Sequence, residues 1–395
     1  MTEPHTKPMT CRAAVLRGVG QDWEITDVTL DPPREGEVLV KMAASGICHT
    51  DDHFASGDSV PSPEFVAMME ANGIAVPDFF PLIGGHEGAG VVAEVGPGVR
   101  SLKPGDRVGV SWIPSCGTCR FCVSGLTYLC DQGAAIYAKE MVTDGTVRRH
   151  VGDEIPMAIA QLGTFAEYIV SPERSLIPID DEIPFHAASL VSCGVTTGWG
   201  SATVSAGTEP GDTVVVIGTG GVGMNALQGA RAVGAGNVVG VDPVEFKRDA
   251  APSFGATHTV ESVEAAIPLV QELTRGVMAD RVIITAGVVH VDLLAPAMML
   301  TRKGGTCVLT GLVPNGEVMV PLVLAEMTLS HKRLQGALYG GMNPRASMPM
   351  LLDMYRNGHL KLDELVTRRY RLDQINDAIT DMREGRNIRG VIEFD

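Results

Sequence analysis

The chain has 395 residues and 45% hydrophobic content, which is more than one ordinary hydrophobic core holds, so two joined domains are expected. Its formal net charge of -16 at pH 7, with no Lys/Arg-rich run, argues against nucleic acid as a partner. The N-terminal MTEPHTKPMT lacks an apolar signal region, and the longest apolar stretch, VVVIGTGGVGMNAL, is shorter than the roughly 18 residues of a membrane span. We therefore expect a soluble, cytoplasmic protein without a membrane partner.

The first part of the chain is predicted to be a β-rich domain. Residues 15–55 alternate short β-rich runs such as EVLVKMAAS with Pro and Gly, which indicates antiparallel strands. A second β-rich block runs from GAGVVAEVG to GDRVGVSW. Between the two blocks, in residues 54–82, PEFVAMMEANG predicts one or two helical turns. Phe65, Met68 and Met69 in this segment could line a substrate pocket, although a Met-rich helical face more often packs in the core.

A different pattern begins near residue 196. Apolar strands such as VVVIG, VVGVD and VIITAG alternate with helical stretches, which predicts a doubly wound parallel sheet over residues 196–339. The tail, residues 340–395, ends in IRGVIEFD, a strand that we expect to return to the first domain. The sequence therefore predicts an α/β protein with one β-rich and one doubly wound domain.

A glycine-rich turn follows the strand VVVIG. Gly218, Gly220 and Gly223 have the G-x-G-x-x-G spacing, which lets a dinucleotide pyrophosphate approach a helix N-terminus closely. Asp242 closes the next strand, where a carboxylate can bind a ribose 2′-hydroxyl and repel a 2′-phosphate, so NAD is favoured over NADP. Lys247 is either a ribose contact or part of a solvated helix face. The predicted cofactor loop comprises Gly218, Gly220, Gly221, Val222 and Gly223.

Eight cysteines without a signal peptide indicate metal-binding or reactive thiols rather than disulfides. Four of them follow the pattern C-x2-C-x2-C-x7-C in SCGTCRFCVSGLTYLC, which can surround one tetrahedral zinc ion and leave no position open for substrate. The spacing fits the usual iron–sulfur patterns poorly. Four unliganded thiols or a nucleic-acid-binding zinc ribbon are weaker alternatives, the latter because basic residues are lacking nearby. The residues predicted to bind this structural zinc are Cys116, Cys119, Cys122 and Cys130.

Three residues that are distant in sequence are candidates for a second metal site. Cys48 lies in GICHTDDH, His86 in GGHEGAG and Cys193 in VSCGVTTGWG. Each of them alone is explained as well by simple burial. Together, two thiolates and one imidazole leave a fourth zinc position open, as catalysis requires. Cys11 and Cys307 belong to neither set and have no predicted role.

With these motifs the chain resembles the zinc-containing medium-chain dehydrogenase/reductase family, and within it the class I and class III alcohol dehydrogenases. The resemblance covers nearly the whole chain and includes GICHTDDH, GHEGAGVV, the four-cysteine loop, CGVTTGWGSA, VIGTGGVG and VVGVD. It implies a GroES-like catalytic domain at residues 1–195 with two zinc ions, a Rossmann domain for NAD at 196–339, and a return to the catalytic domain at 340–395. The implied reaction is the reversible oxidation of an alcohol to an aldehyde or ketone.

The resemblance also implies roles around the catalytic zinc. Cys48, His86 and Cys193 would hold the ion, with Asp51 behind these ligands and Glu87 as a nearby carboxylate able to approach the metal. Zinc would lower the pKa of a bound alcohol, so that an alkoxide exists near neutral pH and hydride passes to nicotinamide.

Further positions match family residues that handle the proton and the cofactor. Thr50 would take the alcohol proton and pass it through the cofactor ribose to His53, for which an ordinary surface histidine is the alternative. His49 stands where the family often has an arginine facing the pyrophosphate. Arg389 matches another pyrophosphate-binding arginine that would reach across the interdomain cleft. A surface salt bridge is the alternative for Arg389.

Two segments are longer than a compact family member needs. DSVPSPEFVAMMEANGIAVPDFFPLI and AAIYAKEMVTDGTVRRHVGDEIPMAIAQL resemble segments of actinobacterial nicotinoprotein alcohol dehydrogenases, which keep NAD bound and pass electrons to an external acceptor. We expect them to cover the cofactor cleft; surface decorations or oligomer contacts are the alternatives. The competing functions are an NAD-exchanging or thiol-adduct formaldehyde dehydrogenase and a non-catalytic NAD sensor. The family also implies a homo-oligomer.

Overall fold

The structure is a computed structural model that describes residues 7–73, 76–133, 138–317 and 319–395. The chain divides into two compact units. The first unit joins Met1–Cys193 to Asn343–Asp395, and the second is Gly194–Met342. The C-terminal segment therefore shares a compact unit with the N-terminal part of the chain.

The described residues form the following strands and helices, each numbered in chain order. The strands are β1 (Met9–Leu16), β2 (Glu24–Leu30), β3 (Glu37–Gly46), β4 (Leu82–Ile83), β5 (Ala89–Val95), β6 (Arg107–Val110), β7 (Arg149–His150), β8 (Met157–Ala158), β9 (Tyr168–Pro172), β10 (Leu176–Pro178), β11 (Thr213–Ile217), β12 (Asn237–Val241), β13 (His258–Val260), β14 (Ala279–Ile284), β15 (Thr301–Leu309), β16 (Arg333–Gly336), β17 (Val366–Tyr370) and β18 (Arg389–Glu393). The helices are α1 (His49–Ser56), α2 (Pro63–Ala71), α3 (Arg120–Val123), α4 (Phe185–Val191), α5 (Gly194–Gly200), α6 (Gly221–Ala232), α7 (Glu245–Ala250), α8 (Val263–Leu273), α9 (Leu294–Leu300), α10 (Leu324–Leu329), α11 (Pro344–Arg356) and α12 (Ile375–Arg383).

The first unit contains two sheets. A five-stranded sheet has the order β7-β2-β1-β4-β8, and a seven-stranded sheet has the order β10-β6-β5-β3-β18-β17 with β9 also paired to β3. The β1–β2 and β3–β5 pairs are antiparallel, as predicted for this part of the chain. The C-terminal strand β18 is hydrogen-bonded antiparallel to β3, with Val391 opposite Gly46. Strand β3, which leads into GICHTDDH, is therefore flanked by strands from distant parts of the sequence.

The residues after β3 form a helix, which the prediction of a strand-rich stretch up to residue 55 did not include. Cys48 has an extended backbone and caps α1, and the Asp51 carboxylate accepts the Cys48 N–H, as in a capping box. Gly57, with φ of 94°, ends the helix in the left-handed conformation. These local capping interactions turn HTDDHFAS into a helix.

The second unit is a doubly wound sheet, as predicted. Its six strands have the order β13-β12-β11-β14-β15-β16, and each neighbouring pair is parallel. This is the 3-2-1-4-5-6 order of dinucleotide-binding folds. The central strand β11, TVVVI, is buried along its full length, because helices cover both faces of such sheets. The glycine-rich turn follows the carboxyl end of this central strand.

The two long segments differ in how they pack. No residue of α2 is buried, and Phe65 and Met68 are 40% and 52% exposed, so the core-packing interpretation of this Met-rich face is wrong. In the second segment, residues 134–137 lie outside the described part. Strand β7 pairs with β2, and the fully buried Arg148 donates to both carboxylate oxygens of Glu37 at 2.7 and 2.9 Å. The second segment is therefore built into the first unit, and surface decoration is the wrong interpretation for it.

Within the described ranges, no helix has the length and apolar character needed to cross a membrane.

Each unit has its own apolar core. The first core includes Phe54, Phe165 and Tyr370, and the second is formed by the apolar strands and helices around Val215 and Leu294.

Candidate active site and metal centres

The fold brings Cys48, His86 and Cys193 together in the first unit, as the sequence predicted. Cys48 follows β3 at the start of α1, His86 follows β4, and Cys193 follows α4. Their sulfur and nitrogen atoms, with a carboxylate oxygen of Glu87, all lie within 4.8 Å of one another. Such a spacing of two thiols and one imidazole fits the ligands of one zinc ion with an open fourth position.

The donor chemistry of this cluster fits a metal. The side chain of His86 is 4% exposed, and its Nδ1 lies 3.4 Å from Asp51 Oδ1. In the described part of the chain, the buried Nε2 of His86 has no hydrogen-bond partner. A buried imidazole nitrogen is costly to leave unpaired, whereas a metal ligand whose other nitrogen contacts a carboxylate is a common arrangement.

Asp51 links the ligands of this cluster to one another. The side chain is fully buried, and its Oδ1 accepts the Gly85 N–H at 2.8 Å while Oδ2 accepts the Cys48 N–H at 3.3 Å. It therefore holds the backbone before His86, the imidazole of His86 and the backbone of Cys48. The position behind the ligands that the family implies for Asp51 agrees with these contacts.

Glu87 and Arg389 form a buried ion pair beside the cluster. The guanidinium of Arg389 contacts the Glu87 carboxylate, and its Nη2 also donates to the Ile47 carbonyl at 3.1 Å. The side chains are 0% and 5% exposed, so the surface salt bridge considered for Arg389 is wrong. An ideal Cβ on Gly46 would lie 2.1 Å from Glu87 Oε2, so this position requires glycine.

The charges in this cluster are strongly coupled. A hydrogen bond with the Cys193 thiol lowers the pKa of Cys48 well below its usual value, and the same pairing raises that of Cys193. Burial lowers the pKa of His86, but the charges of Asp51 and Cys48 outweigh it and raise the pKa well above its usual value. Burial raises the pKa of Glu87 to about 7, against the opposing charge of Arg389. A divalent cation would replace the protons that these groups share.

Helix α1 carries the residues predicted to move the proton. Thr50 Oγ1 lies 3.7 Å from Cys48 Sγ, and Thr50 and His53 are three residues apart, which places them on one face of the helix. The ring of His53 is tilted against that of His49, with centroids 6.5 Å apart. The side chain of His53 is only 3% exposed and lies 3.2 Å from Asp58, so the surface-histidine alternative is wrong. Sequence analysis missed Asp58, whose signal was a carboxylate in the turn just after the α1 motif.

The four clustered cysteines also converge, around α3. Their sulfur atoms lie within 4.8 Å of one another. Backbone N–H groups donate to three of the sulfurs, from Cys116 to Cys130 at 3.2 Å, from Cys119 to Cys116 at 3.3 Å and from Cys122 to Cys119 at 3.4 Å. N–H donors stabilise thiolates over thiols. The loop is therefore folded as a pocket for a cation.

The pKa directions in this loop support the same conclusion. Burial raises the pKa of Cys116, but hydrogen bonds from the backbone of Thr118 and Cys119 outweigh burial and lower it to about 6. Burial raises the pKa of Cys122 to about 12. The four thiols cannot all ionise side by side without a cation to balance them.

The glycine loop of the second unit has the geometry of a phosphate cradle. Gly218 has a φ of 91°, and an ideal Cβ on Gly223 would lie 1.9 Å from the Gly218 carbonyl oxygen. An ideal Cβ on Gly220 would have no neighbour within 4 Å. Helix α6 begins with Gly221 and Val222. Its N-cap residue, Gly220, has no side chain that could accept a hydrogen bond from the first N–H groups of the helix. The loop fits a dinucleotide pyrophosphate.

Asp242 closes β12 next to this loop, as predicted. Its Oδ2 accepts the Thr219 N–H at 2.8 Å and its Oδ1 accepts the Val244 N–H at 2.9 Å. The carboxylate thus anchors the glycine loop to the adjacent strand, a structural role that sequence analysis did not foresee. Lys247 lies one turn further on in α7 and is partly exposed.

Comparison with known families places the chain within one of them. Residues 34–181 match the alcohol dehydrogenase GroES-like domain, and residues 221–357 match the zinc-binding dehydrogenase family. The chain belongs to the zinc-binding alcohol dehydrogenase family. It is therefore a zinc-dependent oxidoreductase that acts on alcohols, and both the predicted resemblance and the predicted enzyme class are confirmed over the non-catalytic alternative.

Three curated relatives cover almost the full length of the chain. It is 47% identical to an NDMA-dependent alcohol dehydrogenase of Amycolatopsis methanolica, over 97% of this chain and 99% of the relative. It is 45% identical to alcohol dehydrogenase B of Mycobacterium tuberculosis, over 98% and 99%. It is 35% identical to an S-(hydroxymethyl)glutathione dehydrogenase of Paracoccus denitrificans, over 98% and 100%.

Solved structures show the same fold. An alcohol dehydrogenase zinc-binding domain protein from Burkholderia ambifaria is 28% identical with a TM-score of 0.87, covering 98% of this chain and 100% of that one. The benzyl alcohol dehydrogenase of Acinetobacter calcoaceticus is 26% identical with a TM-score of 0.86 and the same coverage. A dehydrogenase from Sinorhizobium meliloti that is bound to NADP is 26% identical with a TM-score of 0.74, again with the same coverage. The predicted fold class is confirmed.

Proposed function

We propose that Cys48, His86 and Cys193 hold a catalytic zinc at which a small-molecule alcohol is oxidised, with hydride passing to NAD. The observation that carries this proposal is the convergence of the three donor atoms within 4.8 Å around a buried, otherwise unpartnered His86 Nε2 in the described chain. Zinc bound there supplies Lewis acidity, which makes the alcohol proton acidic near neutral pH. The open fourth position distinguishes this centre from a purely structural one.

The residues around this centre have distinct roles in the proposal. Asp51 orients His86 and Cys48 through the contacts described above, which keeps the ligands in place. Thr50, beside Cys48, takes the alcohol proton, and His53 on the same face of α1 receives it. Glu87 adjusts the charge next to the ligands while it is paired with Arg389. Each of these side chains acts from the first unit alone.

The four clustered cysteines are proposed to hold a second, structural zinc. They supply four thiolates, so the site has no open position, and three backbone N–H groups already stabilise the sulfurs. This gives two zinc ions per chain. The residues assigned to this ion are Cys116, Cys119, Cys122 and Cys130.

NAD is proposed to bind along the glycine loop with its pyrophosphate at the start of α6. The loop from Gly218 to Gly223 permits the close approach, and the buried carboxylate of Asp242 disfavours a 2′-phosphate. NAD supplies the hydride acceptor. Lys247 is assigned to the ribose, and His49 and Arg389 to the phosphates, as the family resemblance implies.

We further propose that NAD stays bound during turnover and that an external acceptor reoxidises it. The 47% identical relative is named as NDMA-dependent, which supports this assignment. The test is to denature freshly purified protein with acid, measure NAD in the supernatant, and assay alcohol oxidation with NDMA or with added NAD. About one NAD per chain and turnover with NDMA alone are expected. Protein without nucleotide that turns over only with added NAD would contradict resident NAD and leave the zinc chemistry intact.

A second candidate is suggested by the 35% identical S-(hydroxymethyl)glutathione dehydrogenase. It predicts that formaldehyde is oxidised only when a thiol such as glutathione or mycothiol is added. Assays with and without thiol separate the two candidates. We favour the first because the identity to the NDMA-dependent relative is higher over the same share of the chain.

The chain is also proposed to work in the cytoplasm as a homo-oligomer. None of the eight cysteines forms a disulfide, which suits a reducing compartment. Large apolar side chains are exposed in α10 and the residues before it, among them Leu329 at 86%, Met319 at 82% and Leu324 at 72%. Light scattering coupled to size exclusion should give a mass above one 41.7 kDa chain, and a monomer would contradict this part.

A further inference from the structure

The imidazole of His53 contacts a carboxylate that is much more accessible to water. His53 Nδ1 lies 3.2 Å from Asp58 Oδ2. The side chain of His53 is 3% exposed, whereas that of Asp58 is 31% exposed. The buried imidazole therefore has, at Nδ1, a carboxylate that reaches solvent.

The turn after α1 fixes Asp58 in this position. The Ser59 N–H donates to the His53 carbonyl at 3.0 Å, and the Val60 N–H donates to the Gly57 carbonyl at 3.0 Å. The Ser56 hydroxyl donates to Asp58 Oδ2 at 2.8 Å. Because the turn is closed by its own backbone, the carboxylate is held next to the ring before any ligand binds.

We propose that Asp58 is a positioning residue for proton transfer, which fixes the tautomer of His53 and stabilises the imidazolium that forms when the ring takes up the alcohol proton. This inference rests on the proposed function, in which Thr50 and His53 move the alcohol proton. With Nδ1–H donated to Asp58, Nε2 is left as the atom that accepts a proton. A carboxylate on Nδ1 that orients an imidazole and stabilises its charged form is the arrangement of hydrolase triads.

The proton balance is simple in both directions. During alcohol oxidation the O–H bond of the alcohol breaks, one proton reaches Nε2 of His53, and the ring becomes an imidazolium. Asp58 stays ionised and stabilises this imidazolium, which then releases its Nε2 proton to water and keeps Nδ1–H on Asp58. When the external acceptor is reduced, a proton moves in the opposite sense through Nε2, and the ring keeps the same tautomer throughout. The electron pair leaves the alcohol carbon with the hydride and does not enter this path.

Among the described residues, Asp58 and His49 are titratable groups that lie beside the imidazole. Asp58 in the turn is in contact, and the ring of His49, one helical turn earlier in α1, has its centroid 6.5 Å away. A change at Asp58 therefore alters the charge at the Nδ1 side of the ring and leaves His49 in place.

The test is the Asp58→Asn variant, which keeps an acceptor for Nδ1–H but removes the negative charge. We expect kcat to fall about 10- to 100-fold with little change in KM, and the pH at half-maximal kcat to fall, because the imidazolium loses the charge that stabilised it; rate should recover when a small base such as imidazole is added. Zinc and NAD contents should match the wild type. Asp52→Asn removes the same charge from α1 at a carboxylate bound to Arg383, and should retain wild-type kcat.

The possible outcomes distinguish the proposed role of Asp58 from the proton path on which that role depends. Wild-type kcat and pH profile in Asp58→Asn would overturn the role of Asp58, as would a lower kcat that added base does not recover. If Asp58→Asn does not fold, Asp58→Ser is judged by the same rate loss and recovery. The His53→Gln variant tests the proton path separately. Wild-type activity in His53→Gln would overturn the proton path itself. Loss of activity in His53→Gln but not in Asp58→Asn would overturn only the role of Asp58.

Discussion

The two candidate metal centres are built in opposite ways. The four-cysteine centre takes its ligands from residues 116–130, one loop around the short helix α3. The other centre takes Cys48, His86 and Cys193 from three separate elements of the first unit. A local centre can be predicted from spacing alone, whereas the distributed one exists only after the sheet around β3 has formed. The local centre should therefore control stability and the distributed one reactivity.

The largest expected effect is on activity. Cys193→Ser removes a thiolate from the distributed centre, so alcohol oxidation should fall by at least about 1,000-fold, because the lost Lewis acidity is worth several kcal/mol. Metal analysis should show one zinc per chain instead of two, with an unchanged far-ultraviolet spectrum. Cys307→Ser is the matched control, since that buried thiol belongs to neither centre. A Cys193→Ser protein that keeps two zinc ions and full activity would contradict the assignment.

The next effect is on stability. Cys119→Ser breaks the local centre, and loss of a structural metal site is expected to lower the free energy of unfolding by about 4 kcal/mol or more. Thermal unfolding and zinc content measure this directly. Activity per molecule that remains folded should stay close to that of the wild type. Equal loss of specific activity in Cys119→Ser and Cys193→Ser would remove the functional distinction between the centres.

A third experiment tests whether Asp51 holds the ligands of the distributed centre in place. Asp51→Asn leaves a side chain of the same shape but removes the charge beside His86, so zinc affinity or activity should fall about 10- to 100-fold. Competition with a chelator should release one zinc faster than the other. If both ions leave at the wild-type rate, Asp51 has no part in holding the metal.

The smallest expected effect concerns the backbone beside Glu87. Gly46→Ala places a Cβ 2.1 Å from Glu87 Oε2 and 3.1 Å from Arg389 Nη2, so the pair must shift. We expect a loss of about 1–3 kcal/mol in the free energy of unfolding. Urea denaturation measures it. Gly133→Ala, where an ideal Cβ meets nothing within 4 Å, should unfold like the wild type. Equal stability of the two variants would show that the clash is relieved without cost.

The contrast between the local and the distributed centre also explains which features could be predicted from the sequence. The parallel sheet, the glycine loop and the four-cysteine loop are encoded by short-range patterns, so they could be predicted from strand alternation and residue spacing. The convergence of Cys48, His86 and Cys193 could be proposed only through a resemblance to a family. No local pattern specifies a meeting of residues that are between 38 (from 48 to 86) and 145 (from 48 to 193) positions apart.

Burial was the main property that the sequence did not reveal. His53 and Arg389 each had a surface alternative, and both side chains are buried beside carboxylates, Asp58 and Glu87. Asp242 was predicted as a ribose contact, and its hydrogen bonds to the backbone could not be anticipated. Met68 shows the reverse error, because an apolar helix face predicted core packing where the side chain is half exposed. A partner at a long sequence distance decides only the case of Arg389, whose Glu87 is 302 positions away.

The pairing of Arg389 with Glu87 has a consequence for how the protein is made. The two residues are separated by 302 positions, and β18 completes the sheet next to β3. During synthesis, β3 and all three ligands of the distributed centre leave the ribosome long before β18 does. Glu87 therefore has no Arg389 to pair with until the whole second unit and the residues up to β18 have been translated. The buried ion pair beside this centre is completed only when β18 has been made, so this centre should mature late.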